Sequence, residues 1–193
     1  MKPNIVRRYR GNPILTRAAI PYPVETVHNA AVVKHGDEYV MLFRSHLRTG
    51  RSIIGLARSP DGFQFTADPE PFLTPARDSP FAAYEEFGVE DPRVTRLEGE
   101  YIITYSAYSR NGVRVALAKT KDFSQVKRVS LITQADHRNV VIFPENLTAS
   151  MPGLTGLIRK SLLGQSGFPI LLICVFGANH SSSCGPNNII GTK

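Results

Sequence analysis

Tryptophan is absent from this sequence, cysteine occurs only twice in 193 residues, and no apolar run is long. Each shortage excludes something. A membrane-spanning helix needs about 18 or more consecutive apolar residues. The longest run here, Ile170 to Phe176, falls well short. Two cysteines, Cys174 and Cys184, cannot build a disulfide framework and have no CxxC spacing. The N-terminal stretch MKPNIVRRYRGNP lacks the apolar core of a secretory signal, so the expected location is cytoplasmic, away from any membrane. His28, His46 and His137 do not have metal-ligand spacing, and no metal site is expected.

Acid is missing from one end of the chain. Residues 147–193 contain no Asp or Glu, and their basic residues are Arg159, Lys160 and Lys193. That imbalance contributes to a formal net charge of +7. Upstream, the arginines are scattered among acids and form no basic stripe. A nucleic-acid site usually needs a clustered basic patch, so no nucleic-acid partner is expected. With 42% hydrophobic and 20% charged residues, the composition is that of a folded domain and not of a disordered chain.

Up to about Asn146, short apolar runs alternate with polar turns. Val32-Val33, the run Tyr39 to Phe43 and the run Ile53 to Ala57 are rich in β-branched and aromatic residues and read as strands. His35-Gly36-Asp37, Arg48-Thr49-Gly50 and Ser59-Pro60-Asp61-Gly62 are turn signals between and after them. No long helical period is present, and the expected fold class is all-β. The pattern then repeats. GDEYVMLF at 36–43 recurs as EGEYIITY at 98–105, and IGLARS at 54–59 recurs as VALAKT at 115–120. Each unit reads strand, turn, strand, loop, strand, aspartate turn, strand, the pattern of a β-propeller blade. The loop from Asp68 to Gly88, rich in Pro and aromatics, makes the period long and is a candidate functional loop.

A third unit opens at His137 to Glu145 and then the pattern stops. The expectation is an incomplete propeller of about two blades plus the start of a third over residues 1–146. Residues 147–193 are then a non-matching tail, either disordered, read from a shifted frame or unrelated in origin. Missing blades would leave strand edges that invite association into homo-oligomers.

The innermost strand of a propeller blade lines the central channel, where polar side chains from several blades converge. The corresponding positions are Asn29 and Asp91, which lie 62 residues apart in step with the repeat, and Arg138-Asn139 at the start of the third unit. An amide, a carboxylate and a guanidinium suit an uncharged polyhydroxylated ligand beside an anion. Plainer roles stay open for each: Asp91 before Pro92 as a turn aspartate, Asn29 as a turn cap, Arg44 as a solvated strand end, and Arg138 as the partner of Asp136. Glu90 reads as a structural or supporting carboxylate ahead of a second catalyst.

RYRGNPILT (8–16), VHNAAVV (27–33), YVMLFR (39–44), GRSIIGLARSPDG (50–62), GVEDPRVT (88–95), YIITYSAYS (101–109), GVRVALAKTKDF (112–123) and RNVVIFPE (138–145) occur in that order. Together they resemble glycoside hydrolase family 130, the inverting β-mannoside phosphorylases. The resemblance implies a five-bladed β-propeller and phosphorolysis of β-1,4-linked mannosides to α-mannose 1-phosphate. It implies that Asp91 is the lone general acid, relaying its proton through the 3-hydroxyl of the mannosyl unit. Asn29 and Arg44 would hold that unit, and Arg138 and Asn139 would contact phosphate. The implied partners are a β-mannoside oligosaccharide and inorganic phosphate, a co-substrate, with no cofactor. A lone carboxylate fits this chemistry: an inverting hydrolase needs a second one to activate water, whereas phosphate is already a nucleophile. A hydrolase on the same scaffold and a non-catalytic sugar-binding fragment remain as alternatives. The family also carries a further arginine after the FPE block and a lysine and a histidine in later blades. None has a counterpart after Asn146, so the chain as it stands is expected to be inactive. The aglycone preference is left open.

Overall fold

The computed structural model describes residues 7–142 and the backbone of Leu172–Cys174. Among the described residues the only helical segments are two 3-10 turns, Arg17–Ala19 and Ala82–Tyr84, and the rest of the regular structure is strand. The first unit is an antiparallel meander of β1 (His28–His35), β2 (Glu38–His46), β3 (Ser52–Ser59) and β4 (Thr66–Ala67). The second repeats it with β5 (Gly88–Leu97), β6 (Glu100–Ser109), β7 (Gly112–Thr120) and β8 (Lys127–Leu131). A third begins with β9 (Val140–Ile142), which pairs antiparallel with β10 (Leu172–Cys174).

The turns explain the strand boundaries. Glu98 and Gly99 join β5 to β6 with φ of 49° and 83°, the positive pair that a tight two-residue hairpin needs. Asp61 and Asp122 close the β3–β4 and β7–β8 corners. Asp61 Oδ1 accepts backbone N–H bonds from Phe63 and Gln64, both at 2.8 Å, and Asp122 Oδ1 accepts one from Ser124 at 2.9 Å. These are the aspartate turns expected from the repeat, and their role is local.

Side-chain alternation distributes the core. On β2, Val40 and Leu42 join Ile54, Leu56, Val89, Ile103 and Tyr105 in the cluster between the two units. Met41 and Phe43 point the other way, onto Leu15, Ile20 and Val24 of the N-terminal segment. That period of two lets one strand serve two cores. Beyond the second unit, Ile102, Leu117 and Ile142 form a third cluster. There Thr104 and Thr95 donate to the carbonyls of Val140 and Ile142 at 2.6 and 2.7 Å, fastening β9 to the second unit.

Units one and two also meet at Gly88, which pairs in parallel with Ser52. A Cβ added there would lie 2.6 Å from the backbone nitrogen of Ser52, and the glycine's φ is +147°. Backbone cannot yield as a flexible side chain can. Gly88→Ala should therefore destabilise the fold by at least about 2 kcal/mol, combining overpacking with conformational strain. A urea titration of the variant checks this by a lowered midpoint.

The loop between β4 and β5 is anchored at Glu85, which is fully buried. Its carboxylate accepts the Tyr105 hydroxyl at 2.6 Å, Arg128 Nε and Nη2 at 2.9 and 2.8 Å, and the backbone N–H of Ala76 at 2.8 Å. The loop thereby becomes part of the second unit's packing.

Candidate functional site

The inner strands carry a shared irregularity. Pairing of β1 with β2 shifts between His28 and Ala31, and pairing of β5 with β6 shifts between Glu90 and Arg93. At these bulges Asn29 and Asp91 take left-handed backbone, with φ of 49° and 51°. Asn139, immediately before β9, has φ of 59°. Asn and Asp are the side-chain-bearing residues that best tolerate this conformation. A bulge re-aims the side chain that follows it. The local sequence thus turns one polar group per unit toward a common point.

Two of those groups meet directly. Asn29 Nδ2 donates to Asp91 Oδ1 at 2.6 Å, across the two units. Arg44, on β2, donates from Nη1 to the same oxygen at 3.1 Å. Burial pushes the Asp91 carboxyl up. The hydrogen bonds from Asn29 and Arg44, with the charges of Arg44 and Arg93, outweigh it and hold the carboxyl below its ordinary value.

Glu90 is the hub of the cluster, with a side chain only 5% exposed. Its Oε1 accepts Arg44 Nη2 at 2.7 Å and the Ser52 hydroxyl at 3.0 Å. Its Oε2 accepts Arg138 Nη1 at 2.8 Å. Arg138 also lies over the Tyr108 ring, 5.8 Å from its centroid, and stays 41% exposed. Two arginines and two carboxylates therefore alternate around one point with near-zero net charge. Beside them, Asp91 and Asn139 line one shallow pocket together with Thr104 and Ser106. His28, opposite Arg44 in the ladder, is pulled below its usual range by burial first and then by the charge of Arg44.

The structure thus brings Asn29, Arg44 and Asp91 into direct contact, joins Arg138 to them through Glu90, and sets Asn139 on the same pocket as Asp91. Arg44 is not a solvated strand end: its side chain is 15% exposed and doubly ion-paired. Arg138 pairs with Glu90 and not with Asp136, which faces the turn at Gly112. Sequence reasoning placed Glu90 in a supporting role but missed that it connects the two arginines. It also set His46 aside. His46 stands two residues beyond Arg44 on β2, and that spacing puts both on one face of the strand. Among the described residues, no group of three His, Cys, Asp or Glu side chains is arranged to hold a metal, and no helix is long and apolar enough to cross a membrane.

Residues 4–151 match the glycoside hydrolase family 130 model, described as beta-1,4-mannooligosaccharide phosphorylase. The chain belongs to glycoside hydrolase family 130. A beta-1,2-mannobiose phosphorylase of Listeria innocua is 42% identical over 114 residues, covering 59% of this chain and 31% of that protein. A 1,2-beta-oligomannan phosphorylase of Thermoanaerobacter sp. is 23% identical over 153 residues, covering 74% of this chain and 50% of that protein. The solved structure of the Listeria innocua beta-1,2-mannobiose phosphorylase with beta-1,2-mannobiose superposes with a TM-score of 0.63 at 26% identity. That match covers 72% of this chain and 54% of that one. This family 130 chain therefore spans about a third to a half of the curated relatives it matches.

Proposed function

We propose that residues 1–146 form the first two blades and the opening strand of a third in a five-bladed propeller that phosphorolyses β-mannosides. One observation carries the reading. A carboxylate gripped by Asn29 and Arg44 shares a charge cluster with an exposed arginine, Arg138, that spends one donor on Glu90. In this reading Asp91 supplies the proton to the departing saccharide, through the mannosyl 3-hydroxyl. Asn29 and Arg44 hold that mannosyl unit. Arg138 and Asn139 receive the phosphate that attacks the anomeric carbon from the opposite face. Positioning and charge screening are what this nucleophile requires, because phosphate needs no base to activate it. A hydrolase would need a second free carboxylate for water. Glu90 does not supply it, since both its oxygens are committed to arginines.

The linkage divides the support. The family description names β-1,4-linked mannooligosaccharides, whereas the more similar named relatives act on β-1,2 linkages. The 42% identity over 114 residues favours β-1,2 here. The tail after Asn146 lacks the remaining phosphate ligands, so the 193-residue chain by itself should not turn over.

A chimera tests this reading: residues 1–146 joined to the C-terminal blades of the Listeria innocua relative. With inorganic phosphate it should convert β-1,2-mannobiose to mannose 1-phosphate, faster than it converts β-1,4-mannobiose. The unmodified chain should yield no product. Free mannose released without phosphate would show a hydrolase instead.

A further inference from the structure

Arg44 carries a long flexible side chain, yet its guanidinium is fixed well enough to touch both carboxylates. Beyond Glu90 and Asp91, it donates from Nε to the Ser52 hydroxyl at 3.3 Å. Its Nη2 also lies 2.9 Å from His46 Nε2. A guanidinium has donors and no acceptor. His46 Nε2 must therefore offer a lone pair, and the single ring proton must sit on Nδ1. The other side of the ring agrees. Nδ1 is 3.0 Å from Thr26 Oγ1, which also accepts the backbone N–H of His46 at 3.0 Å. The two lone pairs of that hydroxyl are then both used. The His46 main chain is pinned as well: it pairs with Ser52, and its carbonyl accepts Glu25 N–H at 2.8 Å.

We propose that His46 is a positioning residue. Held as the neutral Nδ1–H tautomer by Thr26, it is the uncharged acceptor that, opposite Glu90, aims the Arg44 guanidinium at Asp91. An imidazolium in the same place would turn an N–H and a positive charge onto Nη2. The charged and titratable groups around the ring are Arg44 from the same strand, His28 from β1 with ring centroids 5.2 Å apart, and Glu90 and Asp91 from β5 beyond the guanidinium. Of these, Arg44 bonds the ring directly. No contact with the reacting atoms is assigned to His46; its effect passes through Arg44. The consequence for sugar affinity rests on the proposed reading of Arg44 as a mannosyl ligand, while the tautomer does not.

Long-range nitrogen–proton NMR on the ring-labelled 193-residue chain at neutral pH tests the inference without any variant. His46 should show a protonated Nδ1 and a pyridine-type Nε2. A protonated Nε2, or a ring averaging between tautomers, would overturn it. Two substitutions separate acceptor from bulk. His46→Gln keeps an oxygen within reach of Arg44 and should retain a slowly exchanging Arg44 Nη2–H; His46→Leu should lose it. An unchanged Arg44 signal in His46→Leu would equally sink the proposal. In the family 130 chimera, the KM for β-1,2-mannobiose should rise about 10-fold in His46→Leu and be restored by Gln, as expected for one hydrogen bond to a charged group. If both NMR signatures hold but KM moves in neither variant, positioning by His46 stands and the mannosyl reading of Arg44 fails.

Discussion

Asp91→Asn in the chimera should lower phosphorolysis by about 10²–10⁴-fold, the usual contribution of a positioned general acid. The asparagine keeps the size of the side chain and still accepts from Asn29 or Arg44 through its oxygen, so the fold and the mannoside KM should change little. The loss should lie in kcat, because the missing proton matters only as the glycosidic bond breaks. The depressed pKa of Asp91 sharpens this expectation. A carboxyl held below its ordinary value is ionised at neutral pH and is a poor acid until something raises it. A phosphate dianion bound nearby acts in that direction, so proton delivery would be linked to arrival of the nucleophile. In the proposed reading, the ionised form is the one needed for the reverse reaction, where Asp91 would receive the acceptor sugar's proton through the mannosyl 3-hydroxyl. Synthesis should accordingly persist to higher pH than phosphorolysis.

Glu85→Leu should cost about 3–5 kcal/mol of stability, the range for removing one partner of a buried ion pair. Four donors lose their acceptor at once: the Tyr105 hydroxyl, two Arg128 nitrogens and the Ala76 N–H. Burial, which remains in the variant, keeps the Tyr105 hydroxyl protonated and leaves it a donor without an acceptor. Arg128 is 21% exposed at its side chain and can recover only part of its hydration. Chemical denaturation of the chain measures the effect. A loss under about 1 kcal/mol would place Glu85 with ordinary surface ion pairs. Glu85→Gln should fall between, since it keeps the shape and two acceptor lone pairs but loses the charge that Arg128 matches.

How much of this was readable from the sequence varies with distance along the chain. The strands of both units were legible because alternation, hairpin glycines and aspartate turns are local signals that agree with one another. Asn29 and Asp91 were legible because the repeat places them in register and both residue types suit left-handed backbone. Glu90 was legible only as a neighbour of Asp91. Its partners, Arg44, Ser52 and Arg138, come from three separate segments, and nothing local announces such a junction. The same holds for Glu85, whose partners lie 9 to 43 residues away. Arg138 was assigned a sequence neighbour, Asp136, as its plain alternative partner, and the fold supplied a distant one. His46 is different: its two-residue spacing from Arg44 on a strand already pointed to a shared face.

The grip on Asp91 is the feature on which the site depends, and carbon-detected NMR titration of its carboxyl in the 193-residue chain tests it most directly. The account predicts a midpoint below the usual aspartate value of about 3.9, rising when Arg44→Met removes the guanidinium. Because the folded-state value is depressed, the stabilising contribution of the pair should be fully present above the usual aspartate value and be lost as pH falls from there through the folded-state midpoint. A midpoint at or above the usual value, indifferent to Arg44→Met, would contradict the site as described.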